Sequence, residues 1–281
     1  MNDDRLSSHL MRLGRAFHKR FGSYSDSDFQ GETCPNCGIN APLSWHGVLW
    51  PELVLQWKLT PAWANWMDQR EGLRCTNCRS NIRSRQLAQC IVSVVNKLHN
   101  RQFNTLTSLC EDEAISSIRV AEINAAGDLH TTLSKLKNLS YSEYGSADPA
   151  IPSEDLQNLS YKDETFDLVI TSDVLEHVPD YIQALAEIRR ILRPNAYHIF
   201  TVPIIRNKIG TVKRAELING QVHHILTPSY HGAESDNKND FLVFHEFGDD
   251  FVKTCSDVGF SVSSVSDPRN PSLITLIAKR I

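Results

Sequence analysis

The sequence predicts a doubly wound α/β fold, in which helices cover both faces of a mostly parallel sheet, preceded by a small metal-binding module. Three observations lead to this prediction. From Ile118 onward, short apolar runs alternate with helical patterns, an order typical of a parallel sheet. Acidic residues close the first two of these runs, and two Cys-x-x-Cys pairs lie upstream of them.

The composition is that of a chain with a substantial core. Of its 281 residues, 41% are hydrophobic, which suits one large or two modest domains. No run of about eighteen apolar residues indicates a membrane span, and the polar first five residues lack the apolar stretch of a secretory signal. We therefore expect a cytoplasmic protein.

Charge is distributed unevenly along the chain. Residues 1–101 carry 13 Lys and Arg against 8 Asp and Glu, a balance of +5, whereas the remainder carries 16 against 25, a balance of −9. A basic N-terminal third can contact nucleic acid, but the same charges suit an ordinary solvated surface. The acidic remainder argues against broad binding to a phosphate backbone.

Near the N-terminus, apolar residues recur at helical spacing. They are Leu6, Leu10, Leu13, Phe17 and Phe21. With basic residues on the other faces, this pattern predicts an amphipathic helix, which a polar linker follows in a segment covering residues 1–30. Its apolar face can pack on the metal module or on a partner subunit, so a homodimer stays open.

Four of the seven cysteines form the two Cys-x-x-Cys pairs. In a chain without a secretion signal, such pairs indicate metal binding before disulfide formation. Four thiolates make the closed tetrahedral site of a structural zinc ion, within a zinc-ribbon-like module and connecting helix over residues 31–100. A redox role, or His46 in place of one sulfur, are the alternatives. The predicted ligands are Cys34, Cys37, Cys75 and Cys78.

The segment between the two pairs is rich in tryptophan and arginine. Its tryptophans are Trp45, Trp50, Trp57, Trp63 and Trp66. They suit a small core or docking onto the next domain, and an aromatic platform for bases is the alternative. Residues 68–72 predict a charged turn. Arg79, Arg83 and Arg85 then open a helix, where they can contact a substrate phosphate or carboxylate or be solvated.

The first two apolar runs have the spacing of a nucleoside-binding βαβ unit. Residues 117–127 lead through Glu122 to small residues, and residues 138–144 lead to Glu143. An acid that closes a second strand roughly twenty residues after the first turn can bind the two ribose hydroxyls. Gly127 lets the backbone of the first loop approach a ligand closely.

Further strands and helices complete the α/β pattern. Helices are predicted over residues 178–192 and 249–258, and Gly259 ends the second of them. The remaining predicted strands are residues 166–172, 197–202, 260–265 and 273–278.

Together these features resemble a class I S-adenosylmethionine-dependent methyltransferase. The segments that carry the resemblance are residues 122–127, 142–144, 155–160, 165–178 and 191–195. It extends from residue 118 to the C-terminus and is most specific over residues 166–178. It implies a Rossmann-like sheet of seven strands, closed by an antiparallel hairpin, in a domain over residues 101–281. The chain departs from the family at Asn124 to Ala126 and at Asn195, where the family more often has glycine.

The resemblance implies S-adenosylmethionine as the cofactor. Glu143 would hold the ribose, Glu122 and the loop after it would face the methionine part, and Asp155 with Leu156 would contact adenine. The predicted cofactor-binding residues are Glu122, Asn124, Ala126, Gly127, Glu143, Tyr144, Asp155, Leu156, Ser172, Asp173, Val174 and Leu175.

Several histidines are candidate catalytic bases. His177 follows a strand at the expected ligand crevice, and its ordinary pKa suits proton removal near neutrality; a structural role is the alternative. Residues 204–248 are long for a connection and predict a lid or substrate segment. Within it, His223, His224 and His245 can face an acceptor, with a metal cluster or plain hydration as alternatives.

The predicted reaction is methyl transfer to oxygen or nitrogen of a small-molecule or sugar acceptor. An acidic catalytic domain repels polyanions, and the predicted lid is long. One alternative is an RNA methyltransferase that uses the zinc module as its RNA platform. Another is a catalytically inactive cofactor-binding scaffold, which the glycine-poor first loop keeps open.

Overall fold

The computed structural model describes residues 29, 31–205, 210–230 and 241–281. The N-terminal amphipathic helix predicted from Leu6 to Phe21 lies outside the described residues. Among the described helices, none combines the length and apolar character that crossing a bilayer requires.

The N-terminal module contains two short strands and two helices: β1 (Leu43–Trp45), α1 (Pro51–Gln56), α2 (Pro61–Gly72) and β2 (Leu73–Cys75). Strands β1 and β2 are antiparallel. Thr60 caps α2 by accepting the Trp63 N–H. Residues 68–72 are the last turn of α2, so the predicted charged turn is wrong. The reason is tertiary: the buried Asp68 carboxylate accepts the Val48 and Leu49 N–H groups at 2.7 and 2.9 Å, which fixes this end of the helix.

Helix α3 (Ile82–His99) starts at Asn81, whose side chain accepts the Ser84 N–H, and ends at Asn100 in the left-handed region. Its apolar face, including Leu87 and Ile91, belongs to the same core cluster as strand residues of the main sheet. The short helix α4 (Leu106–Cys110) joins that cluster. The predicted connecting helix is therefore a layer of the α/β domain.

The main sheet has six strands: β3 (Val120–Ile123), β4 (Leu139–Ser142), β5 (Phe166–Ser172), β6 (Leu192–Thr201), β11 (Phe260–Asp267) and β12 (Asn270–Arg280). They lie in the order β11-β12-β6-β5-β3-β4. Strands β3 to β6 are parallel. Strand β12 is antiparallel to both of its neighbours and forms the predicted terminal hairpin with β11.

The seventh strand of the predicted sheet is reduced to one parallel bridge between Glu143 and Ser153. This bridge lies beside β4, at the outer edge of the sheet. Pro149 and Pro152 occupy the segment that would extend it, and proline cannot donate a ladder hydrogen bond. The count of seven is therefore corrected to six among the described residues, while the mostly parallel α/β architecture is confirmed.

Helices cover both faces of the sheet, as a doubly wound fold requires. Ala121, Val169 and Phe200 pack in a cluster with the helices α6 (Tyr181–Ile191) and α7 (Phe251–Asp257). Val120, Leu168, Ile170 and Ile199 pack in another with α3, α4 and the residues around α5 (His130–Leu133). Alternate residues of the same strands thus enter different layers.

The segment between β6 and α7 contains two small antiparallel sheets. Strand β7 (Val212–Lys213) pairs with β10 (His245–Glu246), and β8 (Ala215–Ile218) pairs with β9 (Gln221–His224). A buried ion pair between Arg214 and Glu246 supports this arrangement. The predicted lid or substrate segment, residues 204–248, therefore contains regular strands over its described parts.

Candidate active site and metal site

The loop after β3 is closed at its base by Glu122. This buried carboxylate accepts the Ala126 N–H at 2.8 Å, and its other oxygen lies 2.7 Å from His130 Nδ1. Burial raises the pKa of Glu122, while the Ala126 N–H and His130 oppose that rise. Both carboxylate oxygens thus have partners within the protein.

Asn124 and Gly127 give this loop its left-handed turns, with φ of 57° and 58°. Asparagine is among the few residues that adopt this region readily. Asn124 Oδ1 also accepts the Tyr144 N–H at 2.9 Å, which joins the loop to the end of β4. A Cβ added at Gly127 would lie 3.5 Å from Ser84 Oγ, so its positive φ is the constraint on substitution.

Glu143 lies half-buried where β4 ends. Its N–H donates to Pro152 O at 3.1 Å, and its carboxylate accepts a hydrogen bond from the Tyr141 hydroxyl. The Tyr141 ring lies 4.0 Å from the His130 ring. Burial and the hydrogen bond to Glu143 raise the pKa of Tyr141, so its hydroxyl remains a donor. A continuous chain of contacts thus joins Glu122 to Glu143.

The segment expected to meet adenine is compact. Asp155 is half-buried and accepts the Gln157 N–H at 2.9 Å. Leu156 is buried, whereas Tyr144 is largely exposed. The Asp155 carboxylate therefore already has a local partner.

At the end of β5, Asp173 forms a buried ion pair with the N-terminal module. Arg70 of α2 donates to both carboxylate oxygens at 2.7 and 2.8 Å, and Arg83 Nε lies 3.4 Å away. Burial alone would raise the pKa of Asp173, but the two guanidinium groups lower it below its ordinary value. Asp173 therefore stays ionised at neutral pH.

Glu71 completes this cluster of charges. It accepts hydrogen bonds from Arg83 Nε at 2.9 Å and from Asn81 Nδ2 at 3.0 Å, and it contacts Arg70. Two arginines thus face two carboxylates, and their formal charges balance.

A cavity of about 530 Å³ lies between the N-terminal module and the carboxyl ends of β3 and β5. On the sheet side it is lined by the loop after β3 and by Ser172 and Asp173, and the charged cluster lines another side. The apolar lining residues include Val48, Leu49, Trp50, Leu53, Trp57, Leu59, Met67, Val174 and Phe241. The cavity therefore has a polar floor and a largely apolar wall.

His177 also lines this cavity. Its Nδ1 lies 3.0 Å from the Leu242 carbonyl, which can only accept, so we assign the proton to Nδ1 and the lone pair to Nε2. Burial lowers the pKa of His177, which keeps the ring neutral at pH 7. Glu176 Oε1 lies 3.8 Å from Nε2, and burial raises the pKa of that carboxyl well above its ordinary value.

The other three candidate histidines do not line the cavity. His223 and His224 are exposed on β9. His245 is buried beside the Tyr181 ring at 4.8 Å, and burial lowers its pKa to about 4. Of the four predicted bases, the fold brings His177 alone to the cavity wall.

The cavity residues missing from the sequence prediction include Arg70, Glu71 and Asn81 of the charged cluster. Arg83 was among the three arginines noted there, whereas Arg79 is exposed and Arg85 is buried 3.9 Å from Glu32. The 12-residue helical segment from Pro61 could have signalled that Arg70 and Glu71 lie on a helix. No local sequence pattern indicates that Arg70 pairs with Asp173, which lies 103 positions away.

Four cysteine sulfurs converge at the base of the N-terminal module. Those of Cys34, Cys37, Cys75 and Cys78 all lie within 4.8 Å of one another, including pairs at 3.7 and 4.0 Å. Four ligands at about 2.3 Å around a tetrahedral ion would be roughly 3.8 Å apart. The spacing therefore fits a metal ion held by four sulfurs.

The backbone around the sulfurs supports the same conclusion. Gly38 and Arg79 turn at φ of 77° and 66°, and their N–H groups each donate to the first cysteine carbonyl of the pair at 2.8 Å. The hydrogen bond between Cys34 and Cys78 lowers the pKa of Cys34 to about 4 and raises that of Cys78, and burial raises the pKa of Cys75. His46 is exposed and does not belong to the group.

The tryptophan-rich segment docks onto the α/β domain. Trp57 Nε1 donates to Ser229 Oγ at 2.8 Å, and the Trp66 carbonyl accepts from Asn270 Nδ2 at 2.9 Å. Trp45 and Trp50 remain partly exposed. The segment is therefore a wall of the cavity as well as part of the metal module.

Comparison with known proteins gives a family match over the sheet side of this site. A family model described as a methyltransferase domain matches residues 124–200. An uncharacterized protein of Methanocaldococcus jannaschii is 40% identical over 67 residues, which are 24% of this chain and 28% of that protein. The chain thus matches little more than a quarter of that relative's length.

Two solved methyltransferase structures are among those to which the chain is similar. An S-adenosylmethionine dependent methyltransferase from Mesorhizobium loti is 14% identical, with 58% of this chain and 91% of that chain covered and a TM-score of 0.35. The 1,6-didemethyltoxoflavin-N1-methyltransferase of Burkholderia thailandensis is 14% identical, with 86% and 97% covered and a TM-score of 0.39.

Proposed function

We propose, from the class I methyltransferase domain that this chain carries, that the protein transfers a methyl group from S-adenosylmethionine to a small-molecule acceptor. The observation that carries the proposal is the cavity at the carboxyl ends of β3 and β5, where the Asn124 to Gly127 loop faces Ser172 and Asp173. In open α/β sheets, ligands bind in this kind of crevice. The matched family segment includes this edge.

The cofactor would lie along the ends of β3 and β4. Glu143 is assigned to the ribose hydroxyls and Asp155 with Leu156 to adenine, while the turn at Asn124 and Gly127 faces the methionine part. Glu122 is assigned to holding the loop, because both of its carboxylate oxygens already have protein partners. When bound, S-adenosylmethionine supplies an electrophilic methyl group, and the chain's main task is to position the acceptor against it.

His177 is the base that this geometry favours. With the proton on Nδ1 held by the Leu242 carbonyl, the Nε2 lone pair can take a proton from an acceptor hydroxyl or amine in the cavity. The resulting imidazolium would be stabilised by Asp173, whose charge raises the pKa of His177 against the effect of burial.

The cavity wall favours an apolar acceptor that carries a hydroxyl or amino group. Trp50, Leu53 and Trp57 face the cavity and suit an apolar ring, whereas the polar floor keeps a sugar as the second candidate. Arg83 pairs with Glu71, and Arg85 lies 3.9 Å from Glu32; these contacts within the chain do not favour the RNA alternative.

The metal assigned to the four cysteines is zinc. A complete set of four sulfurs leaves no open coordination position, which is the arrangement of a structural site. The ion would hold the module together and would take no part in methyl transfer.

Calorimetric titration with S-adenosylhomocysteine tests the proposal directly. We expect one molecule to bind per chain. A screen for transfer of labelled methyl groups from S-adenosylmethionine should then favour hydroxylated or aminated apolar ring compounds over sugars and RNA. Absence of binding to zinc-loaded protein would contradict the proposal and favour an inactive scaffold.

A further inference from the structure

The four-cysteine site closes a loop that forms one side of the cavity. The loop, residues 38–74, lies between Cys37 and Cys75, and we call it the acceptor wall. It contributes the apolar lining residues from Val48 to Met67. It also contains all five tryptophans of the chain. Closing a long loop by a metal removes conformational freedom that the segment would otherwise keep.

The second cysteine pair fixes the charged end of this wall. Arg70, Glu71 and Arg74 precede the pair, Asn81 and Arg83 follow it, and all five line the cavity. Glu71 accepts from Asn81 and Arg83 across the turn at 3.0 and 2.9 Å. Cys75 N–H donates to Ser80 O at 3.0 Å within the same turn. The metal-held turn therefore sets the distance between the two halves of the charged cluster.

The first cysteine pair is anchored to the α/β domain. The Leu106 N–H donates to Pro35 O at 2.8 Å, and the Thr107 N–H donates to Asn36 O at 3.0 Å. One side of the metal site is thus fixed to the start of α4, and the wall extends from the other side.

The sheet has its own core, to which the wall does not contribute. The two large clusters on the faces of the sheet contain no residue of 38–74. The wall reaches the domain through two smaller clusters, one that groups Leu43 and Leu73 with Leu273 and one that groups Leu53 and Trp57 with Val243. It also reaches the domain through the Arg70–Asp173 ion pair and through the hydrogen bonds of Trp57 and Trp66. The sheet therefore has the contacts to remain folded when the wall moves.

We propose that metal bound by the four cysteines sets the position of the acceptor wall, so that metal loss opens the acceptor side of the cavity and leaves the sheet and the cofactor loop in place. The assignment of the wall to the acceptor rests on the proposed function. The proposal that the metal sets the position of the wall is independent of that function.

Tryptophan fluorescence tests this inference, because every tryptophan lies in the wall and the rest of the chain contributes none. Zinc-loaded protein is treated with EDTA under reducing conditions and compared with Cys78→Ser, and metal content is measured for both. We expect the emission to shift to longer wavelength and acrylamide quenching to increase at least twofold, as the buried Trp57 becomes exposed. The far-ultraviolet circular dichroism should retain about nine-tenths of its amplitude.

Controls separate metal loss from thiol loss. Adding zinc back should restore the emission of the chelated wild type but not that of Cys78→Ser. Cys110→Ala, which removes a thiol outside the group of four, should keep its zinc and its emission. Unchanged emission after proven metal loss would overturn the inference, and so would collapse of the circular dichroism together with the emission.

Titration with S-adenosylhomocysteine distinguishes this inference from the proposed function. We expect its affinity to change less than tenfold on metal loss, because Glu143 and Asn124 belong to the α/β domain, and a larger loss would contradict the separation of the two sides. If the zinc-loaded protein does not bind it, the proposed function fails, while the fluorescence still reports whether metal positions the wall.

Discussion

Asn124 is the residue that lets the loop after β3 keep its shape with little glycine. Its φ of 57° lies in the left-handed region, and its side chain accepts the Tyr144 N–H. A glycine at this position would adopt the left-handed conformation but would lose the hydrogen bond to the Tyr144 N–H. The departure from the family's glycine pattern is therefore compensated by a side-chain contact, which weakens the case for an inactive scaffold.

Replacing Asn124 separates these two contributions. Asn124→Gly keeps the backbone conformation and loses the hydrogen bond, so we expect it to cost about 1 kcal/mol of unfolding free energy. Asn124→Ala loses the bond and also strains the turn, at a total of about 2–3 kcal/mol. Urea denaturation measures both values. Equal losses in the two variants would contradict the role given to the left-handed turn.

Glu143 is the residue on which cofactor affinity should depend most. Glu143→Gln keeps the shape and removes the charge, and a hydrogen bond to a charged group contributes about 1.5–3 kcal/mol. We therefore expect S-adenosylhomocysteine to bind roughly ten- to a hundredfold more weakly in calorimetry. Glu111→Gln, which removes an exposed carboxylate paired with Lys135, is the matched control and should bind normally.

The role of His177 as the base leads to a prediction for the pH dependence of the reaction. Burial lowers its pKa below the ordinary 6.5, so the neutral, active ring predominates at pH 7. The rate should fall as the pH is lowered through the pKa of His177, and it should be constant at pH values above that pKa. His177→Gln should lower kcat by about 10²–10⁴ and remove this acidic limb. His99→Gln, outside the cavity, should keep both rate and profile; an unchanged limb in His177→Gln would exclude His177 as the base.

At the scale of elements, α2 is held against the end of β5 by the Arg70–Asp173 pair. Arg70 is 1% exposed and Asp173 is 15% exposed, so removal of one partner leaves a charge with little access to water. We expect Arg70→Ala to lower the unfolding free energy by about 3 kcal/mol, measured by urea denaturation. Arg79→Ala, at an exposed position, should cost less than about 0.5 kcal/mol. Similar losses in both would show that the pair has no special stabilising role.

The elements also show where sequence patterns stop being informative. Strands β5 and β6 and helices α6 and α7 follow from local apolar periodicity, and the cysteine spacing predicted the cluster of four sulfurs. The last turn of α2 was not predicted from the local sequence, because the Val48 and Leu49 N–H groups that fix Asp68 lie about twenty positions away in the chain. The charged cluster was missed for the same reason: its partners come from three separate elements, and a single sequence does not record which of them meet.

At the scale of the whole molecule, two parts meet at one cavity. The α/β domain supplies the loop after β3, His177 and Asp173, while the N-terminal module supplies the apolar wall and two arginines. Arg70 and Arg83, two arginines of the basic N-terminal third, thus face the carboxylates of Asp173 and Glu71 at this interface.

Ligand binding should therefore stabilise the molecule measurably. S-adenosylhomocysteine that binds the folded chain and not the unfolded one adds about 2.7 kcal/mol at a hundred times its Kd, which raises Tm by roughly 5 °C or more for a domain near 200 residues. Differential scanning calorimetry measures the shift. In Glu143→Gln the same ligand concentration should give a clearly smaller shift in Tm, because the Kd is higher. Free methionine, which lacks the adenosine part, should give no shift. Equal shifts in wild type and Glu143→Gln would mean that the stabilising ligand does not bind at the end of β4.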